Sequence, residues 1–220
     1  MATYSIADLS HREDVRDTGR SERGLDQFCD CANRRASHAR ADIRSLLSAE
    51  GFDQNADLTR VPGRPGRAEG QVLDVMGRVL NLKGGPVRNA KVKIWQANAH
   101  GRYTHPSDTN PAPLDPNFEG SVVLTTDQEG RYRFKTIKPA GYPAGPNRMR
   151  PAHIHFQISG RQDRLVTQMY FEGDPYNDTD RFLLTALEQK EMLIAKLLPA
   201  TSEMEPEAKL VVFDIVLSAG

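Results

Sequence analysis

Two histidines separated by one residue stand in the segment Arg150-Pro151-Ala152-His153-Ile154-His155-Phe156. On a β-strand, residues two apart project from the same face, so His153 and His155 direct two imidazoles toward one point. Imidazole nitrogen binds zinc, copper, iron and nickel, so the pair marks a metal site without naming the ion. Two histidines on a solvated strand face give the same spacing, and the spacing by itself does not choose between the readings. Two tyrosines follow as candidates. Tyr103 sits in Gly101-Arg102-Tyr103, and Tyr142 in Ile137-Lys138-Pro139-Ala140-Gly141-Tyr142-Pro143. Both fall in irregular stretches, where a tyrosine ordinarily packs its ring and leaves its hydroxyl in water.

The elements that must position these residues read as short strands broken by turns. Runs of β-type residues occur near 70–77, 89–97, 121–126, 131–137, 152–159, 164–171 and 209–217, with turns at Gly84-Gly85, Asp127–Gly130 and Gly160. That pattern predicts an antiparallel β-sandwich. Two long irregular stretches, 98–120 and 138–151, interrupt it, and loops of that length in a compact domain usually carry function. One helix is expected near 180–198. Ahead of the strands, Leu25, Phe28, Ala32, Ala36, Ala39, Ile43, Leu46 and Leu47 recur at spacings of mainly three and four, which predicts an amphipathic helix over 23–50. A linker rich in Pro, Gly and Arg follows at 52–68. The expected organisation is therefore a helical extension and linker over 1–65, with a capacity for dimerisation, and a mainly-β sandwich domain with long loops over 66–220.

Composition narrows the class. The 220 residues carry 29 Lys+Arg and 29 Asp+Glu, a balance that favours neither nucleic acid nor an anionic membrane surface. No run approaches the ~18 apolar residues of a membrane span. The first 30 residues lack the apolar stretch of a secretory signal, and the expectation is a cytoplasmic protein. Cys29 and Cys31 are too close for a good mutual disulfide and read as two reduced thiols.

Taken together, WQANAHGRY (95–103), PLDPNF (113–118), IKPAGYP (137–143), RPAHIHF (150–156), TQMYFEGDP (167–175) and FDIVL (213–217) resemble the intradiol ring-cleaving dioxygenases. Among these, the likeness is greatest to the iron-bearing (beta) subunit of the protocatechuate 3,4-dioxygenase type. The resemblance covers roughly residues 70–218, in the family's order. Residues 1–65 look more like the helical segment with which catechol and hydroxyquinol dioxygenases dimerise. The resemblance implies Fe(III) held by two tyrosinates and two histidines, matching Tyr103, Tyr142, His153 and His155, with Tyr142 and His155 axial and Tyr103 and His153 equatorial. It implies a charge-stabilising role for Arg150, a supporting role for Gln168, and a base's role for Tyr142. Beside these roles stand the ordinary readings, a surface ion pair for Arg150 and a ladder or cross-strand hydrogen bond for Gln168.

The chemistry is consistent with that carry-over. A free tyrosine has a pKa of about 10 and needs a strongly charged cation to ligate at neutral pH. Hard, trivalent iron suits phenolate oxygen. The implied activity is cleavage of a catechol-type aromatic, protocatechuate or a related substituted catechol, by O2 to a cis,cis-muconate-type diacid. Catechol or hydroxyquinol 1,2-dioxygenase is the alternative within the family. A zinc or copper protein using only His153 and His155, and a non-catalytic β-sandwich, stand outside it. A homo-oligomer is expected, with assembly onto a second, non-iron subunit as the other arrangement. The sequence departs from the protocatechuate pattern at Ala144, where the family usually carries tryptophan, and a small residue there would widen the pocket.

Overall fold

The computed structural model describes residues 56–218; the helix expected over 23–50, Cys29 and Cys31 lie outside them. Twelve strands are described: β1 (Val72–Asn81), β2 (Lys91–Gln96), β3 (Ser121–Thr125), β4 (Arg131–Ile137), β5 (Tyr142–Pro143), β6 (Met149–Arg150), β7 (His153–Ser159), β8 (Arg164–Phe171), β9 (Ile194–Ala195), β10 (Leu198–Pro199), β11 (Lys209–Val212) and β12 (Ile215–Leu217). They form two five-stranded sheets and one hairpin. The first sheet runs β10-β11-β1-β12 with β4 on the other side of β1, the second runs β3-β2-β7-β8-β9, and β5 pairs with β6.

Alternation in the strands builds the core. Val75, Val79 and Phe134 from the first sheet meet Ile94, Ile154, Phe156, Ile158 and Phe171 from the second in one buried cluster. Apolar side chains leaving water on both inner faces provide the main driving force for such a sandwich, roughly 25 cal/mol per Å2 of apolar surface. β7 departs from simple alternation. Its core-facing residues Ile154, Phe156 and Ile158 are buried, and so are His153 and His155 on the opposite face. A strand buried on both faces has something covering its outer side.

The structure differs from the sequence expectation in four places. The sheets are mixed: β1 pairs in parallel with β11 and with β12, and β8 pairs in parallel with β9. Tight hairpins impose antiparallel pairing, whereas strands reached by long connections are released from it. The single strand expected at 209–217 is two. Phe213 N donates to Met76 O at 2.9 Å, and a Cβ on Gly77 would stand 1.9 Å from Phe213 O, so the ladder beside β1 breaks at Phe213–Asp214, where the chain presses against a glycine. The helix expected over 180–198 shortens to α1 (Arg181–Thr185), followed by a 3-10 segment, Leu187–Leu193. Leu187 has φ +47°, which stops the α-helix, and Ile194–Ala195 join the sheet edge instead. Finally, the stretch 138–151, expected to be irregular, contains the β5–β6 hairpin. Among the described residues no helix is long and apolar enough to cross a membrane.

Candidate metal centre

The second sheet lays out one row of side chains on its outer face. Trp95 on β2 pairs with His155 on β7, and His155 pairs with Gln168 on β8. One step along, His153 pairs with Tyr170. The Trp95 indole stacks flat on the His155 ring, centroids 4.7 Å apart at 6°, which fixes the plane of that imidazole.

Two loops close over this row. The first carries Tyr103 and is wound on Asn98: its Oδ1 accepts from the His100 and Arg102 N–H groups at 2.9 and 3.0 Å, and its Nδ2 donates to Pro113 O at 2.9 Å. Tyr103 N donates to Asp108 Oδ2 at 2.8 Å. The second loop carries Tyr142, which is paired with Arg150 in the β5–β6 hairpin. The loops touch backbone to backbone. Gly101 has φ +80°, and a Cβ there would lie 2.6 Å from Gly141 O and 3.2 Å from Tyr142 Cβ. Only glycine permits both that conformation and that approach.

The loops and the row converge on a few atoms. His153 Nε2 and His155 Nε2 are 3.1 Å apart, and Tyr103 Oη lies 3.1 Å from His155 Nε2. The Tyr142 ring stands 5.6 Å from the His153 ring and 5.6 Å, edge-on, from the Tyr103 ring. His153 Nδ1 is 2.7 Å from Pro151 O. A carbonyl only accepts, so Nδ1 carries the proton and donates, and in the neutral ring the Nε2 lone pair points inward. Burial, then the Arg150 charge, holds the His153 pKa well below the ordinary histidine value, against the opposing Pro151 hydrogen bond. Burial, His153 and Arg150 do the same for His155. Both rings are therefore neutral near pH 7, the form that ligates metals.

The donor set fits a metal ion. Ligands about 2.1 Å from one ion and at right angles to each other stand about 3.0 Å apart, close to both 3.1 Å separations. Among the described residues no group of three or more His, Cys, Asp and Glu gathers. Tyr103 Oη, 3.1 Å from His155 Nε2, is a protein oxygen within this cluster, with the Tyr142 ring beside it, and phenolate oxygen suits a hard, highly charged cation.

Arg150 is 3% exposed and so departs from the surface ion-pair reading. Its Nε donates to Asp180 Oδ2 at 3.0 Å, and its Nη2 donates to Gln168 Oε1 at 2.6 Å and to Tyr170 Oη at 3.2 Å. The Phe182 ring lies 4.4 Å from its Cζ. Burial alone would lower the Arg150 pKa, but Tyr142, Tyr170 and Asp180 outweigh it and the net shift is upward, so the guanidinium stays charged. Gln168 likewise spends its carbonyl on Arg150 and Tyr170. The structure thus brings five of the six sequence candidates, Tyr103, Tyr142, Arg150, His153 and His155, around one centre, with the sixth, Gln168, hydrogen-bonded to Arg150. Sequence reasoning missed Trp95, Tyr170, Asp180 and Phe182 as neighbours of the site. Tyr170 was findable, being two residues from Gln168 on one strand. Asp180, 30 residues beyond Arg150, left no local signal.

Comparison with known proteins follows the same lines. A family model described as Dioxygenase matches residues 47–219. The beta chain of protocatechuate 3,4-dioxygenase from Burkholderia cepacia is 50% identical over 166 residues, 73% of this chain and 70% of that one. A catechol 1,2-dioxygenase from Acinetobacter baylyi is 38% identical over 125 residues, 50% of this chain and 39% of its own length, so the chain spans well under half of that relative. The solved catechol 1,2-dioxygenase of an Acinetobacter species, inhibited by bound mercury, superposes with a TM-score of 0.58 at 30% identity, covering 74% of this chain and 56% of that one.

Proposed function

The chain belongs to the intradiol ring-cleaving dioxygenase family, and on that premise we propose that Tyr103, Tyr142, His153 and His155 hold a non-haem Fe(III) at which a catechol-type substrate is opened by O2. The observation that carries the reading is the convergence of Tyr103 Oη, His153 Nε2 and His155 Nε2 at 3.1 Å spacings with the Tyr142 ring beside them. Bound there, ferric iron supplies Lewis-acid chemistry, withdrawing electron density from a catecholate and preparing its ring for O2.

The protein's own groups supply the rest. His153 and His155 offer neutral nitrogens, one fixed by the Pro151 carbonyl and the other by the Trp95 stack. Tyr142 Oη takes up a hydroxyl proton as the catechol binds, acting as a positioned base. Arg150 stays protonated in a dry setting and stabilises negative charge that develops on the opening ring. Its cost of burial is offset by Asp180 at 3.0 Å.

Protocatechuate is the first choice of substrate, supported by the 50% identity to a protocatechuate 3,4-dioxygenase beta chain. Catechol and hydroxyquinol come second, because relatives named for those substrates match at 38% and 33% identity. Ala144, at the tip of the Tyr142 hairpin, favours a substituent larger than the protocatechuate pattern would admit. The relative's description as a beta chain also favours a second subunit as a partner, with self-association through residues 1–65 as the other arrangement.

The test is the visible spectrum of the ferric protein, recorded before and after anaerobic addition of protocatechuate, catechol and hydroxyquinol in turn. A phenolate-to-iron band that moves to longer wavelength with one catechol is the expected result. A protein that stays colourless after ferric loading overturns the proposal and leaves a histidine-only metal site or a binding module.

A further inference from the structure

We infer that Asp180 is a positioning residue for the reaction, holding the Arg150 guanidinium in place beside Tyr142; the inference rests on the reading of Arg150 given above. Arg150 and Asp180 are side chains only 3% and 2% exposed, with Nε and Oδ2 at 3.0 Å. A guanidinium on a flexible stem needs several fixed contacts to hold one orientation, and each contact here removes a different freedom. The Asp180 bond fixes the Nε edge. Gln168 Oε1 and Tyr170 Oη fix Nη2. The Phe182 ring covers one face of the plane.

Asp180 is the member of this set that is itself anchored from outside the site. It is the N-cap of α1, and its Oδ1 accepts from Leu183 N at 2.9 Å. The same Oδ1 lies 3.1 Å from Tyr170 Oη, whose oxygen is also 2.8 Å from Gln168 Oε1. The tyrosine has one proton for these two acceptors, so it couples Gln168 to Asp180 while accepting from Arg150. One carboxylate thereby ties the first turn of α1, the outer row of β8 and Arg150 on β6 into a single hydrogen-bonded unit.

The charge bookkeeping gives the role its consequence. Asp180 neutralises Arg150 at its Nε edge, while Tyr142 is paired with Arg150 across β5 and β6. Without the Asp180 carboxylate, the buried guanidinium loses its 3.0 Å ion pair and the fixed orientation of its Nε edge. Arg150 then no longer sits where the developing charge on the ring needs it.

The experiment compares Asp180→Asn, Arg150→Gln and the double variant, all iron-loaded, in steady-state kinetics with protocatechuate and catechol, visible absorption and thermal unfolding. Asparagine is as good an N-cap as aspartate, so α1 keeps its cap while the carboxylate charge is lost. Expected are a kcat lower by about a hundredfold, the size of a misplaced catalytic group, a KM changed by less than about threefold, unchanged iron content, and a shifted phenolate band. The double variant should be no slower than Arg150→Gln alone, because Asp180 acts through Arg150. Asp180→Asn with wild-type kcat and spectrum, or losses that multiply in the double variant, would overturn the inference while leaving Arg150 intact. Wild-type kcat in Arg150→Gln would instead overturn the role of Arg150 and the inference with it. Should Asp180→Asn not fold, Tyr170→Phe, which removes the bridging hydroxyl without unpairing a charge, is expected to lower kcat by about tenfold and shift the same band; an unchanged kcat there counts against the inference.

Discussion

Tyr142 and Arg150 are direct partners in the two-residue β5–β6 ladder. The proposed base and the proposed charge-stabilising cation are therefore registered by one small hairpin, and moving one strand by a residue would displace both. Met149 and Pro143 form the second rung, and the hairpin is closed at its tip by Ala144 and Arg148 bonding backbone to backbone at 2.9 Å.

Tyr142→Phe keeps the ring that packs edge-on to Tyr103 at 5.6 Å and removes only its hydroxyl. Iron content should stay within reach of wild type, because three donors remain. Catechol binding should slow by about a hundredfold or more, the contribution of a positioned base, and the phenolate band should lose intensity. Stopped-flow binding and metal analysis check this; wild-type binding kinetics would remove Tyr142 from the base's role.

Gly101→Ala places a methyl 2.6 Å from Gly141 O on a residue with φ +80°. Strained left-handed geometry for a non-glycine costs about 1 kcal/mol, and the backbone clash adds to it, so the two tyrosine loops must part. The expected outcome is a loss of about 1–3 kcal/mol of stability together with weakened iron retention, read from a urea titration and from dialysis against a chelator. Intact iron retention would mean the loops do not set the ligand positions.

Trp95→Leu removes the surface on which His155 stacks at 4.7 Å. Because Trp95 is 1% exposed, truncation in a packed core should cost about 2–5 kcal/mol. Some of the loss should appear as a weaker affinity for ferric iron, since the His155 ring loses its fixed plane. Calorimetry of the metal-free and metal-loaded protein separates the two effects: a variant destabilised equally in both states would show that Trp95 serves the core alone.

Glu205 bridges two cations, with Lys135 Nζ at 2.7 Å and Arg67 at 2.6 Å. The Lys135 hydrogen bond, then that of Arg67, outweighs burial and lowers its pKa. A carboxylate depressed on folding adds stability that is present above its unfolded pKa and fades as pH falls through the folded value. Urea midpoints measured from pH 7 down to pH 3 should therefore converge for wild type and Glu205→Gln. With the side chain 38% exposed, the gap at pH 7 should be below about 1 kcal/mol. A gap that grows on acidification would contradict the ion-pair account.

The residues proposed as ligands were legible in the sequence because their signals are short-range. His153 and His155 lie two apart on a strand whose period is two, and Tyr103 and Tyr142 sit in recognisable segments whose order follows a known family. The sandwich was legible too, since β-type runs and turn residues are local patterns. Tertiary structure decided what those patterns could not. The same residues that form good helix over 187–195 yield to a 3-10 segment and a strand, because pairing Ile194 and Ala195 with Tyr170 and Phe171 outweighs propensity. The parallel placement of β11 and β12 beside β1 follows from a long connection whose course no local pattern specifies. The burial of Arg150 against Asp180, 30 residues away, likewise depends on α1 folding back over β8. Local spacing fixes which face a side chain leaves from; only the packed fold fixes what it meets there.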